Sequence, residues 1–191
     1  GYSSYTPLDK RLVEANGGTP KADVARDRRL HAGEEARIIE VLSGHKPEGR
    51  RCALHLQGGN ALLTMFILIV YSGLRLREAY TLKMNQLKFD EKIIRAQCSK
   101  QWRGAIKFRD VPMRPEVHDA LKSYLSTRLI SPDDYVFPFM TEDPGITLKT
   151  VSHRLSTRFS SAFDFAGSPD LNEHDLRHEA TCRWLEMKDA G

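Results

Sequence analysis

The run ALLTMFILIVY, from Ala61 to Tyr71, is apolar on nearly every side, which predicts a helix buried all round rather than an amphipathic one. Ahead of it, Ala36, Ile39 and Leu42 recur at helical spacing between Gly33 and Ser43. Glu34 and Glu35 suit the first turn of that short helix because they complement its dipole. After Gly73, REAYTLKMNQL predicts a second short helix. The period then changes: KIIRAQCSK and AIKFRDVPM are rich in β-branched and mixed residues and are separated by QWRG, a Gly-containing turn, so a β-hairpin is expected. Pro115 opens a helix with Val117, Leu121, Tyr124 and Leu125 on one face, and SPDDY follows as a loop. Leu148, Val151, Leu155, Phe159 and Ala162 make a further helical stripe, and a last helix starts near Asn172. The sum is a mainly α fold with one small antiparallel β-sheet, an α+β class. Residues 1–32 are polar with no sustained period and read as a linker or arm, leaving 33–191 as the domain.

A chain of 191 residues with 40% hydrophobic content suits one ordinary domain with a sizeable core and excludes a wholly disordered chain. Twenty-nine Lys and Arg against twenty-five Asp and Glu give a net charge of +4, which permits nucleic-acid binding without demanding it. Within the arm, Lys21, Arg26, Arg28 and Arg29 form a basic cluster that either touches phosphate or is a solvated charge run. Cys52, Cys98 and Cys182 are odd in number and lack CxxC pairing, so neither a disulfide framework nor a zinc ribbon is suggested and a reducing cytoplasm fits best. The apolar run falls well short of the ~20 residues that span a bilayer, so a soluble protein is expected.

Two stretches carry candidate chemistry. SGLRLREAYTL sets Arg75 directly after the most apolar helix, and a guanidinium there needs an anionic partner: a protein carboxylate, a metabolite or a phosphate. In NEHDLRHEATCRWLEMK, at about 100° per residue, His174, Arg177, His178 and Thr181 share one helical face. Leu176, Ala180, Trp184 and Met187 form another stripe roughly 130° away. Imidazoles grouped with a guanidinium make sense with an anion before them. The rival is a zinc site, since His174 and His178 have i, i+4 spacing. Asp175, however, stands where a metalloprotease helix has Glu, and Arg177 would set a cation beside the metal.

Taken in order, SGLRLREAYTL, the hairpin ending FRDVPM, and HDLRHEAT resemble the motifs of the tyrosine recombinase, or phage integrase, catalytic domain: its TGLRxxEL box, its lysine-bearing hairpin followed by R-x-VP, and its HxLRH box. The resemblance runs from about residue 26 to the end and implies the DNA breaking-rejoining catalytic fold. It also implies that Arg75 and Arg177 grip the scissile phosphate of double-stranded DNA, which suits planar, permanently charged forks. By the same resemblance His174 assists proton transfer and phosphate contact, while Glu78 and His178 support the site. A hairpin lysine is the general acid, with Lys100 the first choice and Lys107 the second. Arg26, Arg28, Arg29 and Arg103 are expected to touch DNA.

The resemblance further implies strand cleavage and rejoining through a 3′-phosphotyrosyl intermediate, with no cofactor or metal, by protomers assembled on DNA, expected as a tetramer. Its nucleophilic tyrosine lies beyond the HxLRH helix, whereas Tyr2, Tyr5, Tyr71, Tyr80, Tyr124 and Tyr135 all precede His174. No nucleophile is therefore assigned, and the chain is expected to lack that segment and to be inactive alone. The competing expectation, from another class, is a DNA-binding regulatory module without catalysis.

Overall fold

A computed structural model of the chain describes residues 27–98 and 106–189. Its elements run α1 (Glu34–Leu42), α2 (Gly59–Ser72), α3 (Leu76–Tyr80), a 3₁₀ turn (Met84–Gln86), β1 (Leu87–Lys88), β2 (Ile93–Gln97), β3 (Phe108–Pro112), α4 (Pro115–Leu125), a 3₁₀ turn (Pro138–Met140), α5 (Leu148–Phe165) and α6 (Glu173–Asp189). This is the expected helical fold with one small antiparallel sheet.

Helix α2 is the hub because its sequence leaves it no polar face. Leu62, Met65, Phe66, Leu68 and Val70 are fully buried, and the helix packs against α1, α3, α4 and α6. Phe66 meets Phe163 of α5 edge-on with ring centroids 6.4 Å apart, a favourable aromatic arrangement. Gly73 closes α2 at φ 67°, a left-handed conformation that side chains disfavour, and its N–H donates to the Ile69 carbonyl at 2.9 Å. That reversal sends Leu74 into the core and starts α3 at Arg75.

The second short helix is briefer than its sequence predicts. It ends at Tyr80 because the next backbone groups pair elsewhere: Val136 N–H donates to the Leu82 carbonyl at 2.8 Å, and Met84 N–H to the Asp134 carbonyl at 3.0 Å. The rest of that stretch becomes a 3₁₀ turn and strand β1, which adds to the predicted hairpin in the order β1-β2-β3. In the register, Ile94 faces Val111 and Ala96 faces Arg109. Ile94, Ala96 and Val111 are buried, so by the two-residue period of a strand Arg109 lies on the inward face of the sheet.

Two predicted stripes are displaced. On α1 the buried set is Glu34, Ile38, Val41 and Leu42, with Ala36 exposed and Ile39 half-buried. On α6 it is Asp175, Leu176, Glu179 and Ala180, whereas Trp184 is half-buried and Met187 exposed. Ion pairs account for both shifts. Glu34 accepts from Arg28 at 2.7 and 2.9 Å, from the His31 N–H at 2.7 Å and from Ser168 Oγ at 2.8 Å. Glu179 accepts from Arg29 at 3.0 Å, from the Leu30 N–H at 3.2 Å and from Arg183 at 2.7 Å, while Arg183 also bonds Glu35 at 2.7 Å. Residues 28–31, expected to belong to an arm, are thus fastened to α1 and α6.

Burial by itself would raise both carboxyls, but Arg28, the His31 N–H and Ser168 hold Glu34 down at about 2, and Arg29, Arg183 and the Leu30 N–H hold Glu179 down at about 2. A carboxyl with a depressed folded-state pKa stabilises fully above its ordinary value near 4.5 and loses that contribution as pH falls towards 2. Stability should therefore fall between about pH 5 and pH 2.5 by on the order of 2–3 kcal/mol per carboxylate, read as a lower melting temperature. Glu34→Gln and Glu179→Gln should each flatten the profile; unchanged profiles would refute the role given to this brace. Separately, Gly73→Ala should lower stability by about 1–2 kcal/mol, measured by urea unfolding, because alanine resists the left-handed turn.

Candidate functional site

Arg75 is the residue before the first turn of α3, and the turn is closed by Glu78, whose Oε2 accepts the Arg75 backbone N–H at 3.0 Å, as in a capping box. The other carboxylate oxygen, Oε1, accepts from Arg75 Nη1 at 3.0 Å. From the inward face of β3, Arg109 Nη2 reaches Oε2 at 2.7 Å. The Glu78 side chain has no exposed surface, whereas the side chains of Arg75 and Arg109 keep 30% and 34% of theirs. One sunken carboxylate therefore fixes two guanidinium groups at the edge of the core with their outer parts open.

Arg177 arrives from α6. Asn172 starts that helix: its side-chain oxygen accepts the His174 N–H at 2.9 Å and the Asp175 N–H at 3.1 Å, while Asp175 accepts the Asn172 N–H at 2.9 Å. Leu176 and Ala180 seat the helix against the core, which brings the half-buried Arg177 within electrostatic reach of Arg75, Arg109 and Glu78. Burial first, then the positive fields of Arg75 and Arg109, push the Arg177 guanidinium below its ordinary range, with Glu78 opposing. Two donors here, Arg177 Nη1 and Arg109 Nε, are buried without a hydrogen-bond partner among the described residues. Two guanidiniums bonded to Glu78, with the Arg177 charge close by and sunken donors still unpaired, make a positively charged cluster whose chemistry suits an anion.

Arg75, Glu78 and Arg177 are thus brought together, and Arg109 of the FRDVPM stretch, to which the sequence pattern gave no site role, joins them. The available signal was the two-residue alternation of FRDVP, which puts a charge on the same face as Val111. His174 is exposed, one helical turn before Arg177. His178 turns away: its Nε2 lies 2.7 Å from Asp27 Oδ1 and 3.6 Å from Cys182 Sγ. Lys107 is exposed on the last rung of the hairpin ladder, where its carbonyl accepts the Cys98 N–H at 2.8 Å. Lys100, Arg103 and Arg26 lie outside the described residues. The expectation that Arg28 and Arg29 reach DNA meets a different geometry. Arg28 is held by Glu34 and Asp170, and Arg29 by Glu179 and Glu186, so their guanidiniums are engaged by carboxylates of the fold.

Among the described residues no group of three or more His, Cys, Asp or Glu is arranged to hold a metal ion, and no helix is long and apolar enough to cross a membrane.

Several solved structures share this fold. XerA recombinase aligns with a TM-score of 0.57 and 21% identity over 92% of this chain and 57% of its own. The Tn1549 transposon integrase in complex with circular intermediate DNA aligns with a TM-score of 0.58 and 17% identity over 87% of this chain and 56% of its own. XerH recombinase bound to its difH substrate gives 0.55 and 18% over 85% and 44%. The chain spans about half the length of these proteins. A comparison with curated proteins gives no match. The model of the phage integrase family matches residues 53–189, which take in α3, the hairpin and α6 alike. On that match across most of its length, the chain belongs to the phage integrase family.

Proposed function

We propose that this chain is the catalytic part of a tyrosine-type site-specific DNA recombinase, and that its arginine cluster holds the scissile phosphate of double-stranded DNA. The observation that carries this is the convergence of Arg75 and Arg177, distant in sequence, beside Glu78, where a buried Arg177 nitrogen lacks a partner among the described residues. The family membership and the DNA-bound Tn1549 integrase and XerH support the same substrate class.

In this reaction a tyrosine hydroxyl attacks phosphorus, the new O–P bond forms as the P–O5′ bond breaks, and the tyrosine proton is lost while the departing 5′ oxygen gains one. Charge grows on the non-bridging oxygens, where preorganised guanidiniums stabilise it more than they stabilise the resting diester. Glu78 fixes the Arg75 fork before substrate arrives, so little reorganisation is needed. Lys100, or alternatively Lys107, supplies the proton to the 5′ oxygen, and His174 assists at the phosphate. Attack by a 5′ hydroxyl from a second strand reverses the chemistry and conserves the bond energy. None of the tyrosines at 71, 80, 124 and 135 is assigned as nucleophile: Tyr80 is buried and donates to the Leu148 carbonyl, and Tyr71 donates to Glu35. The proposal includes assembly of protomers, as a tetramer on DNA, and action in the cytoplasm, where that DNA lies.

Affinity for duplex DNA should fall steeply with salt, the logarithm of the binding constant changing by about −0.9 per phosphate neutralised for each unit of log salt. A flat response in fluorescence anisotropy would contradict the phosphate contacts. In the natural full-length protein, Arg75→Ala or Arg177→Ala should reduce covalent capture of nicked duplex by on the order of 10²- to 10³-fold. Wild-type yields from either variant would overturn the site, and a wild-type protein that binds duplex without ever forming adduct would overturn the enzyme in favour of a DNA-binding module.

A further inference from the structure

The phosphate grip proposed above rests on Arg75 and Arg177, yet Arg109 is built into the same cluster around Glu78. The inner face of a small sheet is an unusual place for a guanidinium, and Ala96, its partner across the ladder, is buried. If Arg109 served only to neutralise Glu78, the ion pair through Nη2 at 2.7 Å would suffice, and the remaining nitrogens could turn to water. Instead its Nε is buried and has no hydrogen-bond partner among the described residues, as is Nη1 of Arg177. A buried donor without an acceptor is costly, so two in one cluster point to an acceptor that the described chain does not itself supply.

The shared carboxylate explains how the arrangement persists. Glu78 takes Arg75 on Oε1 and Arg109 on Oε2, so the two forks are held on either side of one anchor. Arg177, whose charge is disfavoured by burial and by both neighbours, would gain most from an anion placed among the three. From these contacts we infer that Arg109 is a third phosphate-binding arginine, whose Nε–H donates to a non-bridging oxygen of the phosphate held by Arg75 and Arg177. The inference rests on the function proposed above and extends it: the hairpin contributes an oxyanion donor as well as a lysine. With Glu78 engaged by two of the forks, the pocket favours an oxyanion with several free oxygens over a simple halide.

The test is a titration of the isotope-labelled chain with inorganic phosphate, following the arginine Nε–H resonances by NMR, assigned by Arg75→Lys, Arg109→Lys and Arg177→Lys. The Arg109 resonance should move with the same dissociation constant as that of Arg177. Arg109→Lys keeps a cation beside Glu78 but lacks the buried Nε–H, and should weaken phosphate binding about tenfold while leaving the melting temperature close to wild type, the loss of one charge-assisted bond. Should that variant unfold instead, the wild-type titration alone decides. An Arg109 resonance that stays still while those of Arg75 and Arg177 move, or a folded lysine variant that binds phosphate as wild type does, would overturn this inference and leave the proposed function standing. No response at any of the three would remove the anion site, and with it both proposals.

Discussion

The whole candidate site depends on a carboxylate with no solvent-exposed surface. Glu78 would be intolerable alone in the core, since a buried charge is stable only when paired and its remaining lone pairs are bonded. Among the described residues it accepts from the Arg75 backbone N–H, the Arg75 side chain and Arg109 from β3. One interaction therefore performs three tasks, starting α3, docking the sheet against that helix and aiming two guanidiniums at the opening. Removing one partner of such a group is far more damaging than its net contribution to stability suggests, because the other is left buried and uncompensated.

The third guanidinium is positioned by a different device. Helix α6 presents two carboxylates among its four buried residues, so hydrophobic contact alone could not fix its rotation. Glu179 resolves this by accepting from Arg29, the Leu30 N–H and Arg183, and Arg183 in turn reaches Glu35 on α1 and lies 4.9 Å from the Tyr71 ring on α2. Residues 29–30, α1, α2 and α6 are tied in one charged and aromatic network. The side of α6 that carries Arg177 and its ion-paired side are consequences of the same rotation.

These two devices divide the arginines into two populations that composition treats alike. Arg28, Arg29 and Arg183 are paired with acidic partners, and their charge is spent within the fold. Arg75, Arg109 and Arg177 gather around one glutamate, and Arg109 and Arg177 each keep a buried nitrogen unpaired by the described chain. The modest net charge of +4 thus conceals a local excess of positive charge where a phosphate would sit.

Local pattern alone determined the buried helix ending at Gly73, the hairpin, the Pro115 helix and the final helix, because each rests on a strong short-range signal: an all-apolar run, a β-rich pair around glycine, a proline at N1, an Asn cap. It also singled out Arg75 and Arg177 as residues that call for an anion, Arg75 because it follows an all-apolar helix and Arg177 because it shares a helical face with two imidazoles. Tertiary structure decided what depends on partners distant in the chain. The helix after Arg75 ends at Tyr80 because residues 134–136 claim its backbone, and the buried faces of α1 and α6 are displaced by arginines from residues 28–29 and 183. Arg109 joined the site only through the pairing of β2 with β3, a contact whose register no periodicity within either strand can specify.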